Sequence, residues 1–257
     1  MCCKPAAVNM LRQSKEERTL KGNLLLASST AFVSGVTNIA GMVAFLAFTS
    51  NITGHVANLA KHIVEQNFRE IIVFVIWLLL FFTGAFVSNF IIRSLEHKSR
   101  YRAHSIPIII EIVLLLFVAI YGHNFYKETD LEREIVIGVL IFSMGLQNSL
   151  VSTISGGLIK STHLTGLFTD LGGDVSEWMH PKVQKTEIIR NKILVRLTVL
   201  SFYFIGAVLG GLLFDLYDFA IFYFIPLILL TILYYDLSPV ALHKISRVFW
   251  ADKGKLV

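Results

Sequence analysis

Thr49–Ala60, TSNITGHVANLA, follows directly on a long apolar run and carries Asn, Thr, Gly and His where oil-soluble side chains would be expected. About a hundred residues later Ser161–Gly172, STHLTGLFTDLG, does the same. In hydrocarbon an unpaired backbone group is tolerated only where protein or a water-filled cavity surrounds it. What these two polar breaks are for therefore decides how the apolar runs around them fold.

Of the 257 residues 54% are hydrophobic and 16% charged, and the mean hydropathy is +0.66. These values lie beyond ordinary globular usage and predict an all-α, polytopic membrane protein. A hydrocarbon core of about 30 Å takes roughly 20 helical residues. About six segments qualify: Leu24 to Phe48, Ile71 to Ile92, Ile106 to Tyr121, Ile135 to Ile159, Ile193 to Phe214 and Phe219 to Tyr235, the third and last being short.

In a soluble chain a net charge of +5 would suggest nucleic acid, but here the bases collect in alternate connections. One group precedes the first span (Lys4, Arg12, Lys15, Arg18, Lys21), a second follows the second (Arg93, Lys98, Arg100, Arg102) and a third follows the fourth, from Lys160 to Lys192. Of the intervening connections, HNFYKETDLERE and DLYD are acidic, and the one after the first span is balanced, with Lys61 and Arg69 against Glu65 and Glu70. That asymmetry predicts both termini on the cytoplasmic side and no nucleic-acid partner. Residues 1–23 then form a basic cytoplasmic segment, 24–122 and 135–236 the membrane region, and 237–257 a cytoplasmic tail. The first apolar run is too long for a cleaved signal peptide. Cys2 and Cys3 imply no disulfide framework and are acylation candidates.

The two halves of the membrane region share a pattern. Gly35 and Asn38 match Gly145 and Asn148; Thr53, Gly54 and Leu59 match Thr165, Gly166 and Leu171. FTGAFVS at 82–88 parallels FIGAVLG at 204–210, and Pro107 parallels Pro226. Four correspondences in one order predict duplication. Each copy has three spans, an odd number, so the second enters the membrane from the opposite side. The expected fold is two inverted three-helix repeats, each with a short polar half-helix, the first Thr-Gly external and the second cytoplasmic. Gly84 with Ser88, and Gly206 with Gly210, form small faces along which the second and fifth spans cross each other or make matching contacts.

Thr53 and Thr165 are candidate N-caps, so a half-helix is expected to start near Gly54 and another near Gly166. Val56, Leu59, Ala60 and Ile63 make one apolar face of the first. Two readings stay open: flat interfacial helices, or half-helices whose N-termini face an anion or polarised group. The second, inverted and repeated, is the pattern of a transporter site at a repeat interface. Its candidate substrate-binding residues are Asn38, Thr53, Gly54, Asn58, Gln147, Asn148, Thr165, Gly166 and Asp170. The amides of Asn38, Gln147 and Asn148 equally suit bridges between helices. Glu111, about one turn beyond Pro107, is a proton-coupling candidate; snorkelling to the cytoplasmic surface or pairing with Arg196 is the plainer account. The duplicate of Glu111 is Leu230, so this chemistry belongs to one half.

Catalytic readings find little. Glu177-x-x-His180 lacks the second copy that carboxylate-bridged metal sites need, and His55, His62, His163 and His180 have no paired ligand spacing. They are expected to be solvated or interfacial. No nucleotide or nucleophile motif occurs, so no enzyme, cofactor or metal is expected. Asn51-Ile52-Thr53 is a glycosylation sequon by coincidence.

SGVTNIAG, NITGHVANLA, MGLQNSLVS and THLTGLFTDLG, between about Ser28 and Tyr235, resemble the YoaK family of bacterial inner-membrane proteins of unknown function. The resemblance implies that location and a polytopic fold, and no substrate. Asn38 stands where the family usually has Asp, and His55 where it reads T-G-N, so ion coupling by that Asp does not carry over. The sequence thus predicts a small inner-membrane transporter of a small polar or anionic solute, its partners lipid and solute, with self-association left open. The rival is a non-transporting scaffold or sensor whose polar residues only join helices.

Overall fold

Polar residues between apolar runs start the helices. In the computed structural model, which describes residues 10–13 and 18–236, Thr19, Asn67, Ser99, Thr129 and Thr186 each accept a first-turn backbone N–H. At Thr129 the cap is reciprocal, with Glu132 reaching back. The helices so begun are α1 (Leu20–Phe45), α3 (Phe68–Leu95), α4 (Arg100–Asn124), α5 (Asp130–Ser155) and α7 (Glu187–Tyr217). Shorter helices α2 (Ile52–Val64) and α6 (Leu164–Met179) follow the two polar breaks. A 3-10 turn over Asp218–Ala220 leads into α8, described over 221–236. No strand occurs among the described residues. Cys2, Cys3, Lys4, Lys15 and the tail 237–257 lie outside them.

Five helical stretches are long and apolar enough to cross a membrane, the last spanning 50 residues from Glu187 to Asp236. That last stretch contains two crossings, because Asp218 (φ 49°, ψ −134°) breaks it. Beyond the break α8 runs back along α4: Phe219 packs on Gly122, His123 meets Tyr223, and the Tyr101 hydroxyl donates to the Leu233 carbonyl at 3.3 Å. The third span is not short, as its apolar core suggests. α4 runs 25 residues because the polar run RYRAHS is also helical, capped by Ser99.

α1 packs on α7 and α3 on α5, both pairs parallel. Phe32 faces Gly206 and Val36 faces Gly210; Phe81 faces Gly145 and Ala85 meets Ser149. The approach is so close that at four glycines a Cβ would strike a facing backbone carbonyl. Gly35 lies against the Tyr203 carbonyl and Gly206 against that of Phe32; Gly145 lies against the Phe81 carbonyl and Gly84 against that of Phe142. The Gly84 and Gly206 faces therefore make matching contacts, with α5 and α1, and not with each other. Helix backbones this near gain van der Waals contact along the whole crossing, which is what small residues provide where lipid removes the hydrophobic drive. Asn89 adds hydrogen bonds to Ser149 (2.6 Å) and Thr153 (2.9 Å), and Ser34 donates to Gln147 (2.6 Å).

At the basic end of the bundle Met10 and Leu11 are fully buried, their amides on the Asp236 carboxylate and the Leu11 carbonyl on His104.

Overpacking at a crossing costs about 1–3 kcal/mol or more. Gly35→Leu and Gly145→Leu are each expected to lower unfolding free energy in detergent by at least that amount. Gly172→Ala, with nothing within 4 Å of the added carbon, should leave the thermal unfolding midpoint within a degree or two of wild type.

Candidate functional site

Leu46 (φ 55°) ends α1 and Gly156 (φ 64°) ends α5, both left-handed, at matching places in the two halves. Past Leu46 the chain turns back along its own helix. The Asn38 carboxamide, seven residues before the end of α1, accepts the backbone N–H of Thr49 (2.9 Å) and of Ser50 (3.2 Å). Its own Nδ2 donates to the Tyr203 hydroxyl at 2.8 Å. The break thus returns to the level of Asn38, about 10 Å inside the end of α1 at 1.5 Å per residue. Gly35 makes this reach feasible: it brings α1 against the backbone of Tyr203, and Asn38 follows one turn later.

From that depth α2 runs outward again. Its cap is Asn51, which accepts the Gly54 N–H at 3.0 Å, and the helix starts at Ile52. α6 starts at Leu164, with His163 at the cap position and no side-chain cap bond. Thr53 and Thr165 are therefore second helical residues and not N-caps. The glycines serve the cap side chains: a Cβ on Gly54 would strike the Asn51 carboxamide, and one on Gly166 the His163 ring. Asn51 is so engaged as a cap, which accounts for its place beside Thr53 without a sugar.

The two breaks meet. A cavity of about 510 Å³ is lined by Asn38, Ser50, Asn51 and Thr53 from the first half and Asn148, Thr162, His163 and Thr165 from the second. Phe48, Ile52, Phe81, Leu164 and Tyr203 complete its wall. Phe81 and Tyr203 stand near the midpoints of α3 and α7. Flat helices on opposite membrane faces would stand about 30 Å apart and could not share such a space. The wall includes no Lys, Arg, Asp or Glu.

Of the other candidates, Gly54 and Gly166 lie one residue behind the lining. Gln147 is buried against Ser34, Asn58 is exposed on α2, and Asp170 pairs with Lys160 (3.5 Å) and Arg196 (3.4 Å). Glu111 is fully buried in α4 with neither oxygen hydrogen-bonded. Arg196 does not pair with it, because Asp170 and Asp174 of α6 take the guanidinium. Tyr203, His163 and Ser50 line the cavity without a sequence pattern that marks them as site residues. Tyr203 reads in sequence as one more aromatic in an apolar span, and only its position opposite Gly35 would mark it.

α2 turns an unexpected side to the protein. His55 is buried, in ring contact with Trp77 (5.2 Å) and Phe74 (5.8 Å), and His62 stacks on Phe74 (5.5 Å), while Val56 and Ile63 are 51% and 55% exposed. In a soluble protein the apolar stripe would face inward; here the apolar residues face outward, as a lipid-facing helix surface does. His55 is accordingly not solvated.

A family model described as "Protein of unknown function (DUF1275)" matches residues 26–235. The chain belongs to that family. No curated protein and no solved structure matches it. The DUF1275 match covers both breaks, all the cavity-lining residues and the four crossing glycines.

Within this DUF1275 chain the two asparagines are unequal. Asn38 satisfies two backbone donors, whereas the buried Oδ1 of Asn148 has no partner. Leaving a buried donor unpaired costs about 1–3 kcal/mol. Asn38→Leu is expected to destabilise by about 2–5 kcal/mol, measured as unfolding free energy in detergent. Asn148→Leu removes an unbonded acceptor and should stay within about 1 kcal/mol of wild type.

Proposed function

We propose that this is a carrier in the bacterial inner membrane, akin to the YoaK proteins its motifs resemble. In this reading it is two inverted three-span repeats with both termini cytoplasmic, moving a small polar or anionic solute by alternating access. It is not an enzyme and uses no cofactor. The observation that carries the reading is the shared cavity: each half contributes one intramembrane asparagine and one half-helix N-terminus to the same polar space, half-way along α3 and α7. Discontinuous helices meeting at mid-depth between related halves are the arrangement that lets a solute be reached from either side by rocking one half on the other.

Matching contacts support the inversion. Gly35 on Tyr203 has its counterpart in Gly145 on Phe81, and Gly206 on Phe32 in Gly84 on Phe142. Each is a first-half residue on a second-half one, exchanged. A scaffold would instead have its polar groups dry and mutually satisfied, which the cavity and the unbonded Asn148 oxygen argue against. Glu111 is the coupling group of this carrier. Among the described residues it alone is a carboxyl with both oxygens buried and unbonded.

Purified protein in proteoliposomes should exchange small polar or anionic solutes from a mixed panel, and Thr53→Val combined with Thr165→Val should slow that exchange about tenfold or more, the loss of one or two ligand hydrogen bonds. No exchange by wild type, or none altered by the substitutions, removes the carrier reading. Cysteines placed at Val64 and Met179, the exposed far ends of α2 and α6, should react with an impermeant thiol reagent from opposite faces. Reaction from one face removes the inversion. Glu111→Gln should abolish uptake driven by a pH gradient while leaving solute exchange at equal pH intact.

A further inference from the structure

The cavity is symmetric in outline and unsymmetric in its hydrogen bonding. In the first half Asn38 is committed to Thr49, Ser50 and Tyr203, and the Ser50 hydroxyl donates to the Asn38 oxygen as well. In the second half the counterparts of Asn38 and Thr49 lack these bonds. Phe81 stands where Tyr203 stands and has no hydroxyl; the buried Ser161 hydroxyl, counterpart of Thr49, has no partner; the Asn148 Oδ1 has none; and α6 has no side-chain cap. An amide acceptor shut away without a donor is costly in a low-dielectric interior. Its terminal torsion is broad, so the Asn148 carboxamide turns into the cavity at little cost once something there can bond to it.

We infer that Asn148 is the residue that recognises the solute, and that the solute presents a hydrogen-bond donor beside an acceptor on an uncharged edge, joined to a flat apolar body: a primary carboxamide or its equivalent. This deepens the carrier reading and rests on it for the solute's movement, not for its binding. A carboxamide offers one acceptor and a donor pair in one plane, so its best complement is another edge of the same kind. The walls Phe48, Ile52, Phe81 and Leu164 receive the apolar body, and about 510 Å³ is ample for a single-ring molecule. No carboxylate lines the cavity to balance a cation, and the positive ends of α2 and α6 oppose one. A carboxylate ligand suits those ends but leaves the Asn148 oxygen without a donor. Asn38 takes no part in recognition; it holds the break.

Benzamide, benzoate and benzamidine have nearly the same shape and differ in this edge: donor and acceptor, acceptors alone, and charged donors alone. Their binding to the full-length protein in nanodiscs, corrected for empty nanodiscs, is to be followed by ligand-observed NMR. Benzamide should bind, benzoate more weakly, and benzamidine at least about tenfold more weakly than benzamide. Asn148→Leu, checked for an unchanged melting temperature, should weaken benzamide about tenfold or more. Asn148→Asp should reverse the order, since a carboxylate pairs with an amidinium through two charged bonds. Failure of benzamide to bind, binding indifferent to Asn148→Leu, or benzamidine bound as tightly as benzamide by wild type overturns the assignment. Binding that depends on Asn148 without flux in proteoliposomes overturns the carrier reading and leaves this assignment standing. Benzamide flux unaffected by Asn148→Leu does the reverse.

Discussion

A backbone that leaves the helix inside an apolar bundle must hand its N–H groups to some acceptor, and in the first half that acceptor is one side chain. The Asn38 oxygen takes the amides of Thr49 and Ser50, and from this bond the rest of the site follows. It holds the break at mid-depth, so that α2 begins there and not at the surface. To reach that place Asn38 needs α1 pressed on α7, which Gly35 and Gly206 permit by omitting a Cβ where the two backbones meet. The G-x-x-N pattern is thus one device in two parts: the glycine brings the neighbour close and the asparagine, one turn on, reaches past it. The same two parts recur as Gly145 and Asn148, but without a Tyr203 to receive them.

The anchoring of the two half-helices diverges in the same way. α2 is fastened to α3 by rings, His55 against Trp77 and Phe74 and His62 stacked on Phe74. α6 is fastened to α7 by charge, Arg196 on Asp170 and Asp174 with Lys160 alongside. A ring contact loses strength smoothly as it separates. A partly buried ion pair is held tightly at contact, and breaking it exposes charges that water then stabilises. A motion that frees α6 therefore needs water at its face more than a motion that frees α2 does. α6 also follows the more basic of the two connections, with Lys160 before it and Lys182 and Lys185 after it.

Much of this was legible in the sequence for physical reasons that survive translation into lipid. Length and hydropathy mark crossings because hydrocarbon thickness is fixed; Thr-Gly marks a break because backbone polarity cannot be hidden. Asn38 and Asn148 stand out because amides are rare in such helices. What the sequence does not decide depends on local geometry and on contacts made only in the folded chain. The Val56–Ile63 stripe marks one face of α2 but not which way it turns, because lipid attracts it as well as a protein core does. Thr caps helices in general and so makes Thr53 the expected cap, but Asn51 stands two residues earlier and accepts the Gly54 N–H at the third helical position. The pairing of Arg196 was beyond reach because Asp170 and Asp174 approach it only once α6 has folded back against α7.

The difference between the halves bears on which of them is rigid. Every hydrogen bond that Asn38 makes lies within the protein, so the first break is complete without a ligand and resists movement. Asn148, Ser161 and the start of α6 carry polar groups with nothing to satisfy them, so the second break gains more from an occupant than the first does. A ligand shifts a conformational equilibrium only as far as it prefers one state over the other. That preference is greatest where the unliganded protein leaves bonds unmade. In the carrier reading proposed above, the half that recognises the solute is then also the half whose position the solute controls. In the carrier reading, Phe81 without a hydroxyl opposite Gly145, together with the open cap of α6, makes the second half the wall that moves and the first the wall that stays.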